Sequence, residues 1–191
     1  MRRRFANIMP RAKQPDNIRA SEGVEESATP LPRFFRLGLA VAAITLVLDQ
    51  ASKYFVLYEL DLIGRGRIYF APFFDLVLAM NRGISYGLFP QDGEVGRWVL
   101  FAIKIAASIL FLFWLRRAGS AWIAVALGFL IGGALGNAID RAVQGAVVDF
   151  VSLHAGGFRW YIFNLADAAI VAGVIGLLYD LVWPKALKSP P

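Results

Sequence analysis

Residues 119–139 read GSAWIAVALGFLIGGALGNAI, a run without one charged side chain. A helix that crosses the hydrocarbon of a bilayer needs roughly 20 such residues, so this stretch predicts a spanning helix. Three more runs share its character: Arg36–Tyr58, Arg97–Leu115 and Tyr161–Trp183. Every tryptophan of the chain (Trp98, Trp114, Trp122, Trp160 and Trp183) falls at or close to an end of one of these runs. There an indole rests its ring in the interface and turns its N–H to water. The pattern predicts a membrane α-helical fold, a four-transmembrane-helix bundle with spans at about 36–58, 97–115, 119–139 and 161–183.

The whole composition points the same way. Of 191 residues, 58% are hydrophobic and 18% charged, where a soluble domain has roughly 45–50% and about 25%. A soluble globular enzyme is thereby excluded. There is no Cys, so disulfides, thiolate metal sites, a cysteine nucleophile and lipid attachment to this chain are excluded too. The single His excludes a zinc helix that needs two imidazoles on one face. Chemistry must therefore come from the 14 acidic residues. The net charge of +6 is read as membrane orientation, with no nucleic-acid partner.

With the N-terminus inside, twelve Lys and Arg lie in inner segments and six in outer ones. The inner set includes Arg33, Arg36, Arg116, Arg117, Lys185 and Lys188; the outer set is Arg65, Arg67, Arg82, Arg97, Arg141 and Arg159. Lys53 and Lys104 lie within spans. The excess predicts that both termini are cytoplasmic. Residues 1–34 mix charges, Pro, Ser and Asn with no apolar run, which predicts a disordered cytoplasmic tail. The remainder, 35–185, is the four-helix transmembrane domain, followed by a cytoplasmic C-terminus at 186–191. The outer loop 59–96 is the one sizeable extramembrane piece, and β-branched and aromatic residues around Pro72 predict short strands there. Gly128, Gly132 and Gly136 on the third span, and Ala168, Ala172 and Gly176 on the fourth, are expected to let helices approach closely.

Charges at membrane depth cost roughly 2.5–3.5 kcal/mol on insertion scales, so each needs a reason. Asp49 and Lys53 are four apart and are expected to pair, with Gln50 beside them. Asp140 and Arg141 read as a cap or local pair, close to Asn137. Asp149 stands among apolar residues in VVDF with no adjacent base. Asn164 and Asp167 are three apart and share a helical face, Asp167 about 9 Å from Tyr161 by helical rise. If Asp149 and Asp167 face each other in poor solvent, repulsion and desolvation let the pair keep one proton near neutral pH. The ionised partner then takes a proton from water while the protonated one polarises an amide carbonyl. Two satisfied buried carboxylates, or caps, fit the same spacing.

Two other chemistries compete. Residues 83–87, GISYG, fit the G-x-S-x-G pattern, but that elbow needs a His base on a strand-to-helix turn, and the only His, His154, reads as a solvated loop residue beside Gly156 and Gly157. A small multi-span transporter or proton relay also places acids in spans. Against it, these acids gather at one membrane face.

Five motifs occur in order: Asp49-Gln50-Ala51-Ser52-Lys53, Asn81-Arg82-Gly83-Ile84-Ser85-Tyr86-Gly87, Gly136-Asn137-Ala138-Ile139-Asp140-Arg141, Val147-Val148-Asp149-Phe150 and Phe163-Asn164-Leu165-Ala166-Asp167. From about Leu37 to Trp183 the chain resembles bacterial lipoprotein signal peptidase, also called signal peptidase II. The resemblance implies an aspartic intramembrane endopeptidase of the bacterial inner membrane. It would remove the signal peptide from diacylglyceryl-modified prolipoproteins, cutting just before the lipidated cysteine at the periplasmic side. It implies Asp149 and Asp167 as the catalytic pair. Asp49, Lys53, Asn81, Gly83, Asn137, Asp140, Arg141 and Asn164 would bind substrate or support the site. Among these, Asn137 and Asn164 are expected to hydrogen-bond carboxylates or carbonyls, and Arg141 to anchor Asp140 or a lipid headgroup. It implies a small extramembrane β-cradle in the loop between helices 1 and 2, no metal or cofactor, and blockage by the cyclic peptide globomycin. The expected partners are prolipoprotein substrates and membrane phospholipid, with the protein itself a monomer. Tyr86 departs from the Phe or Trp common in the family. The tail 1–34 lies outside the resemblance.

Overall fold

Each apolar run folds as one long helix, since a backbone in hydrocarbon must satisfy its polar groups internally. The computed structural model describes residues 33–83 and 94–183; the tail to residue 32, residues 84–87 of the GISYG stretch (Tyr86 among them) and the segment 184–191 lie outside the described residues. Helix α1 spans Arg33–Tyr54 and continues through a π-helical turn, Phe55–Glu59. After a short α2, Leu62–Arg65, come α3, Glu94–Leu115, and α4, Ala121–Gln144; α5 is Leu165–Val182. All four long helices are apolar enough to cross a membrane.

Two helix ends differ from the sequence expectation for local reasons. Helix α4 runs past Ile139 to Gln144, because Asp140–Gln144 continues the turn until Gly145 takes φ 77°, a left-handed conformation that glycine adopts at least cost. Helix α5 begins at Leu165, not Tyr161: the Asn164 side chain caps it by accepting the Asp167 N–H at 2.9 Å. The residues before the cap stay extended, with Phe163 bridged to Val151.

Helix α4 is the centre of the bundle and packs against α1, α3 and α5. Its glycine stripe faces α1: Gly128 meets the Gly38 carbonyl and Val41, and Gly132 meets the Ala42 carbonyl and Thr45. A Cβ at Gly132 would lie 2.6 Å from the Ala42 oxygen, so only glycine permits this approach. On α5 the buried stripe is Ala166, Ala169, Gly173 and Gly176. Ala168 and Ala172, expected there, are exposed. A strict four-residue spacing drifts about 40° per step around a helix of 3.6 residues per turn, whereas the observed spacing alternates three and four. Ile44, Val47, Leu110, Phe113, Ile175 and Leu178 point outward, as lipid-facing residues do.

The extramembrane sheet is antiparallel in the order β1-β2-β3-β4, with β1 Ile68–Ala71, β2 Phe74–Asn81, β3 Val147–Ala155 and β4 Phe158–Arg159. Half of its strands thus come from the connection between α4 and α5, which adds to the loop expected to supply the cradle. Val56, Leu62, Val148 and Phe150 form the core that ties the sheet to the π turn. The register places Asn81 opposite Val147 and Ala79 opposite Asp149.

Asp75 of β2 lies in the extramembrane loop yet is 0% exposed. Its carboxylate accepts hydrogen bonds from Arg67 at 2.7 Å and Arg159 at 3.3 Å. His154, expected in a solvated loop, belongs to β3, with its Nε2 3.1 Å from Asp75. Burial works against the Asp75 charge, but Arg67, His154 and Arg159 outweigh it and hold the carboxyl below its ordinary range. The cluster clasps β2 to β3 and β4. It also occupies the chain's one imidazole about five strand residues, or roughly 16 Å, from Asp149.

Candidate active site

Asp149 is the third residue of β3 and Asp167 the third of α5, so a strand and a helix N-terminus carry the two carboxyls. Val147–Phe150 is buried throughout, because this stretch is covered by β2 on one side and the bundle below. Asp149 is 1% exposed.

Three asparagines join the carboxyls, and each amide is turned one way by a partner that can only donate. Asn164 has its Oδ1 taken by the Asp167 N–H, so its NH2 points to Asp149 Oδ1 at 2.6 Å and Asn137 Oδ1 at 3.1 Å. Asn81 accepts the Gly83 N–H at 3.0 Å and donates to Asp149 Oδ2 at 3.0 Å. Asn137 accepts from the Lys53 ammonium at 3.3 Å, which leaves its NH2 to donate to Asp167 Oδ1 at 2.9 Å. An ammonium and a backbone N–H have no acceptor function, so the whole set has a single consistent polarity.

Behind the asparagines lies a buried charge cluster. The expected Asp49–Lys53 pair is present at 2.7 Å, and the same ammonium reaches Asp140 at 2.7 Å. Gln50 donates to Asp140 at 3.0 Å and Asp49 at 3.2 Å. Each carboxylate of the cluster also holds one backbone amide immediately ahead of a dyad residue. Asp49 accepts the Ala166 N–H at 2.9 Å, and Asp140 accepts the Val148 N–H at 3.1 Å. A buried ion cluster is a weak source of net stability, but removing one member leaves uncompensated charge. Here it fixes the chain at both carboxyls at once.

Two expectations are corrected. Asp140 pairs with Lys53 rather than Arg141, because the neighbouring side chains diverge around the helix. Arg141 does not anchor Asp140: it donates to the Gly83 carbonyl at 2.9 Å and the Asn137 carbonyl at 3.3 Å. It thereby ties the Asn81–Gly83 turn to α4. The structure brings together all ten candidate residues: Asp49, Lys53, Asn81, Gly83, Asn137, Asp140, Arg141, Asp149, Asn164 and Asp167. Sequence reasoning assigned no role to Arg97, which closes the end of α4 by donating to the Arg141 and Ala142 carbonyls, both at 2.7 Å. It also passed over Lys104, although a lone cation in a span is itself a signal.

Burial pushes the Asp149 carboxyl up, and the charge of Asp167 pushes it further. The N–H groups of Asn81 and Asn164, with Lys53 behind them, pull the other way and leave it at about 7. Near neutral pH Asp149 therefore holds a proton for a large part of the time. A cavity of 160 Å³ opens beside Asp167, lined also by Asn81, Asn137, Arg141 and Lys104. A carboxyl that holds a proton near neutral pH, coupled to a second carboxyl at a small polar cavity walled by apolar helices, can take part in general acid–base chemistry. Among the described residues no three carboxylate or imidazole groups converge as a metal site would require.

The family model for signal peptidase (SPase) II matches residues 41–183. The lipoprotein signal peptidase of Methylorubrum extorquens (strain PA1) is 57% identical over 156 residues, covering 82% of this chain and 91% of the relative. That of Nitrobacter hamburgensis is 53% identical over 167 residues, covering 85% and 99%. A bacterial membrane enzyme solved by the in meso method at 2.3 Å resolution superposes with a TM-score of 0.68 at 26% identity, over 81% of this chain and 92% of the other. A second such structure, at 1.9 Å, gives 0.65 at 28% identity, over 76% and 92%.

Proposed function

The chain belongs to the signal peptidase II family, and from that premise we propose that it is an aspartic endopeptidase that removes the signal peptide from diacylglyceryl-modified prolipoproteins. Asp149 and Asp167 are its catalytic pair. The observation that carries this reading is the buried bridge Asp149–Asn164–Asn137–Asp167, which couples two carboxyls in different settings at one cavity. The Asp149 proton is donated to the scissile carbonyl oxygen. Asp167 takes a proton from the attacking water and passes it to the leaving amine as the tetrahedral intermediate collapses. Water adds across the peptide bond, and the pair regains its single proton.

The membrane setting supports the substrate class. An acyl chain enters such a cavity sideways from the bilayer, without a water-filled passage. Both termini lie in the cytoplasm and the dyad on the periplasmic side of the inner membrane, a reading supported by twelve inner against six outer Lys and Arg. The unit that works is 35–185, a monomer among phospholipids, with 1–34 and 186–191 as cytoplasmic ends and 59–96 as the periplasmic loop. Transport has no support, since the acids of the site gather at one end of the bundle and are joined to each other, not strung across it.

The test is mass spectrometry of the products. Purified protein incubated with a diacylglyceryl-modified precursor peptide should release a fragment whose new N-terminus is the lipidated cysteine, and globomycin should stop the release. An intact lipidated peptide after prolonged incubation without inhibitor would refute the proposal.

A further inference from the structure

Among the described residues, Lys53, Arg141, Arg97 and Lys104 lie near the dyad, and the first three are engaged by protein groups. Lys53 is held by Asp49, Asp140 and Asn137. Arg141 is held by the carbonyls of Gly83 and Asn137, and Arg97 by those of Arg141 and Ala142. The fourth is Lys104. Its Nζ makes no hydrogen bond or ion pair with any other described residue, yet the side chain lines the same cavity as Asn137, Arg141 and Asp167.

The position is a costly one. Lys104 lies ten residues into α3, about 15 Å along the axis from Glu94, and it is the only charge between Arg97 and Arg116. An uncompensated cation at such depth is retained where it faces a cavity or a partner. Leu100, one turn back, and the preceding Ile103 share its wall of the cavity, so the Nζ is the polar point of an otherwise apolar helix face. No ion pair forms between Lys104 and Asp167, and Asp167 Oδ1 is held by Asn137. Free N–H donors at the edge of a catalytic cavity wait for an acceptor that arrives with the ligand.

On the function proposed above, that ligand is a lipidated peptide. Its acceptors at this depth are carbonyl oxygens, either of the peptide near the scissile bond or of the acyl esters on the glyceryl group. We propose that Lys104 is a specificity-determining residue whose Nζ donates a hydrogen bond to a carbonyl oxygen of the bound diacylglyceryl peptide, beside Asp167. The role survives a change in protonation, because an amine keeps N–H donors as an ammonium does.

The test compares wild type with Lys104→Met, close in length but without a donor, and Lys104→Arg. Two substrates are used, an ester-linked diacylglyceryl peptide and its ether-linked dialkyl counterpart, with KM, kcat and the pH profile measured for each. Lys104→Met should raise KM for the ester substrate about tenfold, the worth of one such bond at about 1.4 kcal/mol per decade. Its pH profile should not move, and Lys104→Arg should restore most of the loss. If the penalty vanishes with the ether substrate, the acceptor is an acyl ester; if it persists, the acceptor is a peptide carbonyl. An unchanged KM overturns the proposal. So does a loss in kcat with a displaced pH profile, which would make Lys104 act through Asp167. Should Lys104→Met not fold, Lys104→Leu is read in the same way. Wild type and Asp149→Asn run in parallel: a wild type that leaves the ester substrate uncut, or an Asp149→Asn that cuts it, defeats the proposed function and the Lys104 role with it. With both controls as expected, the Lys104 result bears on its own role alone.

Discussion

Asn164 does two jobs with one amide. Its oxygen caps α5 and its nitrogen holds Asp149 and Asn137, so helix formation and dyad alignment depend on the same side-chain orientation. Ser is a comparable cap but cannot supply both N–H groups. Asn164→Ser should therefore melt within a few degrees of wild type while kcat falls on the order of a hundredfold; thermal denaturation beside a cleavage assay separates the two. The Asp149 proton predicts a pH limb. In the proposed mechanism Asp149 must be protonated to act, and its carboxyl sits at about 7, so kcat/KM should fall as pH rises through that value, approaching tenfold per unit. The Asn81 N–H favours the charged form of Asp149, so Asn81→Ala should move the limb to higher pH, read from kcat/KM at a series of pH values. At this scale the sequence was informative where chemistry is unusual for its solvent: Asp149 in VVDF and Asp167 in NLAD stand out in any apolar run. Asp140 misled, because its partner Lys53 lies 87 positions away while a basic neighbour stood beside it.

Between elements, small residues set the distances. The α4 glycines are legible in sequence as a stripe, and they meet α1 backbone directly. On α5 the expected Gly176 is buried, but Ala168 and Ala172 give way to the adjacent Ala169 and Gly173, because periodicity alone does not say which of two adjacent small-residue rows faces a neighbour. The difference can be measured. A Cβ at Gly173 would come 2.7 Å from the Ala126 carbonyl oxygen, so Gly173→Leu should lower the melting temperature in detergent by several degrees or prevent folding. Ala172→Leu, on the exposed side, should melt close to wild type. Strands β3 and β4 escape the sequence pattern for a different reason. Buried on both faces near Asp149, β3 lacks the polar–apolar alternation that announces a half-exposed strand, and β4 is only two residues long. Asp75 shows the same limit: sequence offers no sign that Arg67, His154 and Arg159 converge on it.

For the whole molecule, four apolar runs and their tryptophans determine a bundle, and hydrocarbon leaves few other solutions for them. What remained hidden was how the sheet and bundle share one polar network. The Lys53 cluster grips the backbone ahead of both dyad residues, so β3 and α5 are registered against α1 and α4 together. That network is what makes two distant aspartates a pair. Its function is tested most directly by cleavage of the diacylglyceryl-modified peptide with Asp149→Asn and with Asp167→Asn, each shown by thermal melting to be folded. Loss of at least a thousandfold in both is predicted; wild-type turnover by either folded variant would contradict the aspartic dyad.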